Sequence, residues 1–258
     1  MTVVDIPAGT RGGKVPDVTT VTRMVAVVLG GGVGTRFGAA RPKQLLTLAG
    51  KTLIEHCVAA FERAPGVDEI LVVMTPGQAD LASRALAKDR FGKLTGVIEG
   101  GRARPDSTRQ AIGALSAASP AADCNVLFHD AARPLVDQRI IADCARALAT
   151  GQAVGVAVPC SDTIVEVRDG AMTSMLRRDV LQRCQTPQGF RLSVIRRAYQ
   201  LADADPEFAT ASATDDCGIV LRYLPDVPVL VVPGSERNIK ITHPGDLRLA
   251  ELLLPEQA

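Results

Sequence analysis

Five glycines crowd into the stretch 27–44, VVLGGGVGTRFGAARPKQ, directly after a hydrophobic run. Gly30, Gly31, Gly32 and Gly34 let backbone N–H groups converge on one point, the geometry of an anion nest. Arg36 and Lys43, seven residues apart, add one forked and one mobile cation. Such a loop suits a triphosphate whose α-phosphorus is under attack, because that reaction is mostly positioning and charge stabilisation. Spacing removes two better-known phosphate loops. A dinucleotide fingerprint G-x-G-x-x-G begun at Gly32 meets Phe37, and begun at Gly30 it meets Thr35. A Walker A loop ending in Gly50-Lys51-Thr52 needs a glycine where Leu45 stands. The plain alternative is a loop whose glycines serve only its turns.

The elements that carry this loop are readable from periodicity. Apolar, Val/Ile-rich runs at 24–29, 69–75, 96–101, 124–130 and 153–159 predict strands. Between them, amphipathic segments at 52–64, 78–88, from Asp106 onward, and 137–150 predict helices. Fully apolar strands alternating with helices imply an α/β fold: a doubly wound, mostly parallel, Rossmann-like sheet covered on both faces. Ligands in such sheets sit beyond the carboxyl ends of the strands. The loops expected there, 30–43, 100–107 and 130–134, all carry charged or phosphate-friendly residues. After Pro159 the pattern breaks. Residues 160–188 alternate in short β-like stretches around Asp169-Gly170, a hairpin turn dipeptide, and read as a β-arm that pairs with another subunit. A helix over 192–203, a strand over 227–234 and a helix over 243–253 complete the expectation.

Composition narrows the class. The 258 residues, 47% of them hydrophobic, suffice for one large domain, expected over 24–258. A formal net charge of +1 removes any electrostatic argument for bulk nucleic-acid or anionic-membrane binding. With 3% aromatics, stacking platforms for single-stranded nucleic acid are not expected either. No apolar run reaches the roughly 20 residues that span a bilayer. Residues 1–23 lack the apolar core of a signal peptide and read as a disordered or adherent tail. Six cysteines without a C-x-x-C pair are expected to be reduced thiols of a cytoplasmic enzyme. His56, His129 and His243 are spaced too far apart to suggest a metal cluster.

Taken in order, several short motifs carry a family resemblance. Gly-Gly-Gly-x-Gly-Thr-Arg with Pro42-Lys43-Gln44 resembles the nucleotidyltransferases that activate sugar and polyol phosphates. Adding His129-Asp130-Ala131-Ala132-Arg133-Pro134, Thr186-Pro187-Gln188, Thr214-Asp215-Asp216 and Asn238-Ile239-Lys240-Ile241-Thr242 narrows it. The set resembles the 2-C-methyl-D-erythritol 4-phosphate cytidylyltransferase family and its relative, ribitol-5-phosphate cytidylyltransferase. The resemblance implies joining CTP to a polyol phosphate with release of pyrophosphate, by direct attack of the acceptor phosphate on the α-phosphorus. It implies that Arg36 and Lys43 hold the triphosphate and that Asp130 holds Mg²⁺. Gly30, Gly31, Gly101 and Ser107 fall where the family lines its cytosine pocket. Lys240, with Thr214 and Asp215, falls where the polyol phosphate is held. Thr163, Arg178 and Thr186 match substrate-binding positions, the first two on an arm that crosses a homodimer. Arg133 reads equally as a buttress of its turn or a substrate contact.

The chain departs from the pattern at two places. Leu29-Gly30-Gly31-Gly32 stands where the family usually has Pro-Ala-Ala-Gly. Arg237 stands where many members carry a second carboxylate, leaving Glu236, one residue earlier, or Asp130 alone. The expected acceptor is 2-C-methyl-D-erythritol 4-phosphate. Ribitol 5-phosphate and a catalytically silent nucleotide-binding module are the alternatives.

Overall fold

A computed structural model describes residues 23–31, 42–87, 90–101, 103–119, 122–208 and 215–254. Gly32, Gly34, Arg36, Thr214 and the tail over 1–22 lie outside them. The first strand, β1 (Met24–Gly30), is buried along its whole length, as a run without polar alternation requires. Its side chains alternate between two cores. Met24, Ala26 and Val28 join one, while Val25, Val27 and Leu29 join the other. Arg23, the last residue of the expected tail, instead clamps the domain, donating to both carboxylate oxygens of Glu69 and to Ser119 Oγ.

A short hairpin, β2 (Thr47–Leu48) and β3 (Lys51–Thr52), leads into α1 (Leu53–Glu62). There Thr52 and Glu55 form a reciprocal capping box. Then follow β4 (Glu69–Met74), α2 (Ala79–Leu86), β5 (Leu94–Glu99), α3 (Arg104–Ala118), β6 (Asn125–Asp130), α4 (Gln138–Thr150) and β7 (Ala153–Pro159). The arm hairpin is β8 (Val165–Arg168) and β9 (Ala171–Met175). The chain returns through β10 (Gln182–Arg191), α5 (Leu192–Asp203), α6 (Asp216–Tyr223), β11 (Val229–Pro233) and α7 (Pro244–Leu253). The seven-stranded sheet runs β11-β7-β10-β6-β1-β4-β5, and every pairing is parallel except those of β10. Helices α1, α2 and α4 cover one face, and α3, α5 and α6 the other.

The main departure from the sequence reading concerns the expected arm over 160–188. Its last part belongs to β10, which lies antiparallel between β6 and β7 in the middle of the sheet. From Gln185 to Arg191 β10 is buried, although its residues QTPQGFR show no apolar run. The free arm is therefore shorter, and the turn at its tip is as expected. Asp169 (φ 50°) and Gly170 (φ 78°) both take the left-handed backbone of a two-residue hairpin loop. The stretch Asn238–Thr242, although rich in β-branched residues, forms no strand. It is a loop whose Ile241 N–H donates to Ala132 O at 2.8 Å and whose Ile241 side chain is buried under α7.

Candidate active site

The site grows from the end of β6. Its last residue, Asp130, pairs with Leu29 of β1, so its carboxylate emerges at the carboxyl edge of the parallel strands. Arg104 Nε donates to Oδ1 at 3.2 Å, and Lys240 Nζ lies 2.8 Å from Oδ2. Burial pushes the Asp130 carboxyl up, but Arg104 and Lys240 outweigh it and hold the group well below the usual carboxylate range. The site thus presents an ionised carboxylate between two close cations, with Arg133 Nε farther off at 3.9 Å from Oδ2.

A polar relay holds the Asp130 backbone. Thr186 Oγ accepts the Asp130 N–H at 3.1 Å and lies 3.0 Å from His129 Nδ1. His129 Nε2 lies 2.9 Å from Arg133 O. A carbonyl only accepts, so Nε2 carries the proton and Nδ1 accepts from the Thr186 hydroxyl. Every member of this chain is then satisfied with a neutral imidazole. Burial accordingly pushes the His129 ring down to about 4. Thr186, expected to bind substrate, has its hydroxyl committed to this relay. Arg133 is a buttress: Nη1 donates to Asn238 O at 2.8 Å and Nη2 to Cys184 O at 3.4 Å. Asn238 Nδ2 in turn donates to Thr186 O at 2.8 Å, which ties the loop bearing Lys240 to β10.

Three residues absent from the sequence reading of the site complete it. Arg104 opens α3, where a cation opposes the helix dipole. It is sustained there by Asp130 and by Asp216, whose Oδ2 lies 2.8 Å from Arg104 Nη1. Asp216 is wholly buried and accepts from Tyr199 Oη at 2.7 Å. Burial works against the charge of Arg104, but Asp216 and then Asp130 more than offset it and raise its basicity. Asp215 caps α6 through Gly218 N at 2.8 Å and accepts from Gln188 Nε2 at 2.8 Å. Only the Thr-Asp-Asp motif and the charged loop over 100–107 hinted at these partners.

The nucleotide side of the edge is built for close approach. Ser107, fully buried in the first turn of α3, accepts from Gly101 N at 3.3 Å. A Cβ on Gly31 would stand 2.7 Å from Ser107 Oγ, and one on Gly101 would stand 2.1 Å from Asp106 Cβ. Gly101 therefore leaves no room for a side chain, whereas a Cβ at Gly31 asks only that the Ser107 hydroxyl turn aside. Gly30 O accepts from Gln44 Nε2 and from Thr75 Oγ, which pins the short turn bearing Lys43 beside the end of β1.

Arg104, Asp130, Arg133, Thr186, Asp215 and Lys240 line one cleft of about 240 Å³. Thr163 and Arg178 do not reach it; both are exposed on the arm, and Arg178 donates to Ser161 O. Glu236, the alternative second carboxylate, also lies outside the cleft lining and pairs with Arg183 at 2.5 Å. The described residues hold no group of three or more His, Cys, Asp or Glu suited to a metal ion. Asp130 alone still fits a hard divalent cation that takes most of its oxygens from phosphates and water.

Comparison with known proteins decides the family. The model of the 2-C-methyl-D-erythritol 4-phosphate cytidylyltransferase (IspD) family matches residues 24–256. The chain belongs to this family. The 2-C-methyl-D-erythritol 4-phosphate cytidylyltransferase of Thermobifida fusca is 51% identical, covering 90% of this chain and 93% of that one. The crystal structure of the Francisella tularensis cytidylyltransferase (IspD) superposes with a TM-score of 0.74 at 27% identity, covering 90% of this chain and 100% of that one. A bifunctional ribulose 5-phosphate reductase/CDP-ribitol pyrophosphorylase of Haemophilus influenzae is 37% identical, covering 91% of this chain and 48% of that one. The fold is thus that of the cytidylyltransferases, which are nucleotidyltransferase enzymes and generally metal-dependent. No helix among the described residues is long and apolar enough to cross a membrane.

Proposed function

We propose that this chain transfers the cytidylyl group of CTP to 2-C-methyl-D-erythritol 4-phosphate, a step of isoprenoid precursor synthesis. The observation that carries the reading is the ionised Asp130 between Arg104 and Lys240, at the strand edge that ends in the glycine loop. A phosphate oxygen of the acceptor attacks the α-phosphorus of CTP, the α–β phosphoanhydride bond breaks, and pyrophosphate leaves. No covalent bond to the protein forms. Asp130 and the triphosphate would hold Mg²⁺, which would supply charge neutralisation there.

Gly30, Gly31, Gly101 and Ser107 are the walls for the cytosine, where only backbone-sized groups fit. Gly32, Gly34 and Arg36 extend the cradle, and Arg36 and Lys43 neutralise charge on the triphosphate. Lys240, with Thr214 and Asp215, orients the acceptor. The exposed arm supports a homodimer in which Thr163 and Arg178 of one subunit serve the other's acceptor site. Free thiols at all six cysteines support a cytoplasmic enzyme.

A second reading, ribitol 5-phosphate as acceptor, is favoured by the Haemophilus influenzae relative and by the Leu29-Gly30-Gly31-Gly32 run. The deciding experiment follows pyrophosphate release from CTP and Mg²⁺ with each polyol phosphate in turn. Release with the methylerythritol phosphate is expected. Release with ribitol 5-phosphate alone transfers the assignment, and CTP binding without turnover on either acceptor marks a silent module.

A further inference from the structure

The two oxygens of Asp130 face partners of opposite character. Lys240, on Oδ2, is a flexible ammonium with 43% of its side chain exposed. Arg104, on Oδ1, has 18% exposed and is gripped from behind by the wholly buried Asp216, itself bonded to Tyr199. Arg133 Nε stands farther from Oδ2, at 3.9 Å, so the close contact of one oxygen is a movable cation and that of the other a fixed one. The fixed side forms a line, Tyr199–Asp216–Arg104–Asp130, that joins α5, α6, α3 and the end of β6. Stability is a poor reason for it. Arginine at the start of a helix works against the dipole, and buried ion pairs often contribute no more than well-packed apolar residues of the same size.

We propose that Arg104 is a positioning residue, held by Asp216 and Tyr199, that locks Asp130 with Oδ2 turned to the cleft, where a divalent cation meets the triphosphate. Its planar fork reaches two carboxylates at once, which the single ammonium of lysine does not. Lys240 is the partner that yields: as the cation and nucleotide arrive, it is free to leave Oδ2 for the acceptor phosphate. The inference rests on Asp130 as the metal-holding carboxylate.

The test measures Mn²⁺ binding to the full chain with a non-hydrolysable CTP analogue, by electron paramagnetic resonance, beside the Mg²⁺ dependence of turnover. Arg104→Met is expected to weaken Mn²⁺ by about 10–100-fold, the usual cost of losing a partner behind a metal ligand. KM for the acceptor should change far less. Arg104→Lys should recover only part of the loss. Asp216→Asn should weaken Mn²⁺ in the wild-type background and add nothing once Arg104 is gone, because it acts through that residue. Should Arg104→Met fail to fold with Asp216 left unpaired, the double variant Arg104→Met/Asp216→Asn removes both charges and is expected to show the same loss. Unchanged Mn²⁺ affinity in folded Arg104 variants, or strictly additive effects of the two positions, overturns the proposal. Asp130→Asn separates the layers. If it leaves Mn²⁺ binding intact, the metal reading of Asp130 falls and takes the proposal with it. If it abolishes binding while Arg104 variants do not change it, only the proposal falls.

Discussion

The end of β6 and the arm hairpin are both built of β-strands, yet they spend their side chains in opposite ways. Every residue of β6 is buried, and its terminal Asp130 is braced from Arg104, Lys240, Thr186 and, through the His129 relay, Arg133. Along β8 and β9 almost every residue is exposed, including Met172 at 76% and Met175 at 71%. The arm presents apolar side chains, with Val167 and Val180 adding to the methionines, and among the described residues nothing covers them. The lesson is a division of labour. The strand edge is over-determined so that its carboxylate stands still, whereas the arm leaves its apolar side chains exposed. A second copy of the chain is the partner proposed above.

Four measurements would sharpen or break that contrast. The largest effect is expected in the packed region. Phe128, fully buried beside Phe190, should cost about 3–5 kcal/mol when changed to alanine, read by urea unfolding. A cost near that of a surface change would show that β6 is not close-packed.

Acid comes next. The His129 ring titrates at about 4 in the folded chain against 6.5 for an unperturbed imidazole, so the unfolded chain binds the extra proton between those values. Folding stability should therefore fall as pH drops from about 6.5 to about 4, by a contribution on the order of 3 kcal/mol. Nuclear magnetic resonance of the ring should find it neutral and protonated at Nε2 at pH 5.5. A ring titrating near 6.5 would break the relay. Asp130 acts with the same sign further down: its depressed carboxyl favours folding above the ordinary carboxylate range and loses that contribution only in stronger acid.

At the glycine loop, Lys43→Ala should lower kcat by at least roughly 10²-fold, the scale of losing one transition-state donor, with little change in melting temperature. Near-normal turnover would remove Lys43 from the mechanism. The smallest effect on folding belongs to the arm. Met172→Asp with Met175→Asp should alter unfolding free energy by no more than about 0.5 kcal/mol each, because these side chains are exposed. The same pair should shift the chain toward monomer in sedimentation. An unchanged oligomeric state would break the arm's assignment, and a large loss of stability would mean the hairpin packs on its own domain.

Legibility from sequence followed the range of the interaction responsible. Strands β1, β4, β6 and β7 were readable to within a residue or so, because burial on both faces demands an unbroken apolar run. The arm's turn was readable because Asp169-Gly170 meets a local backbone requirement. By contrast β10 was hidden. Gln185 and Gln188 are buried there only because distant groups satisfy them, Gln188 by Asp215 and Asp216, Gln185 by Ser235 and Asn238. Thr186 showed that it belonged near the site but not which atoms its hydroxyl serves.

The sequence by itself determined the parallel sheet, the glycine loop at its edge, the family and the presence of Asp130 and Lys240, since each rests on local periodicity, spacing or motif. Only the tertiary structure decided that Arg104 and Lys240 take opposite oxygens of Asp130, that Asp216 and Tyr199 stand behind Arg104, and that His129 is neutral. Those are matters of a few ångströms between groups far apart along the chain. Coulomb pairing and desolvation depend on that separation in space, not on separation in sequence.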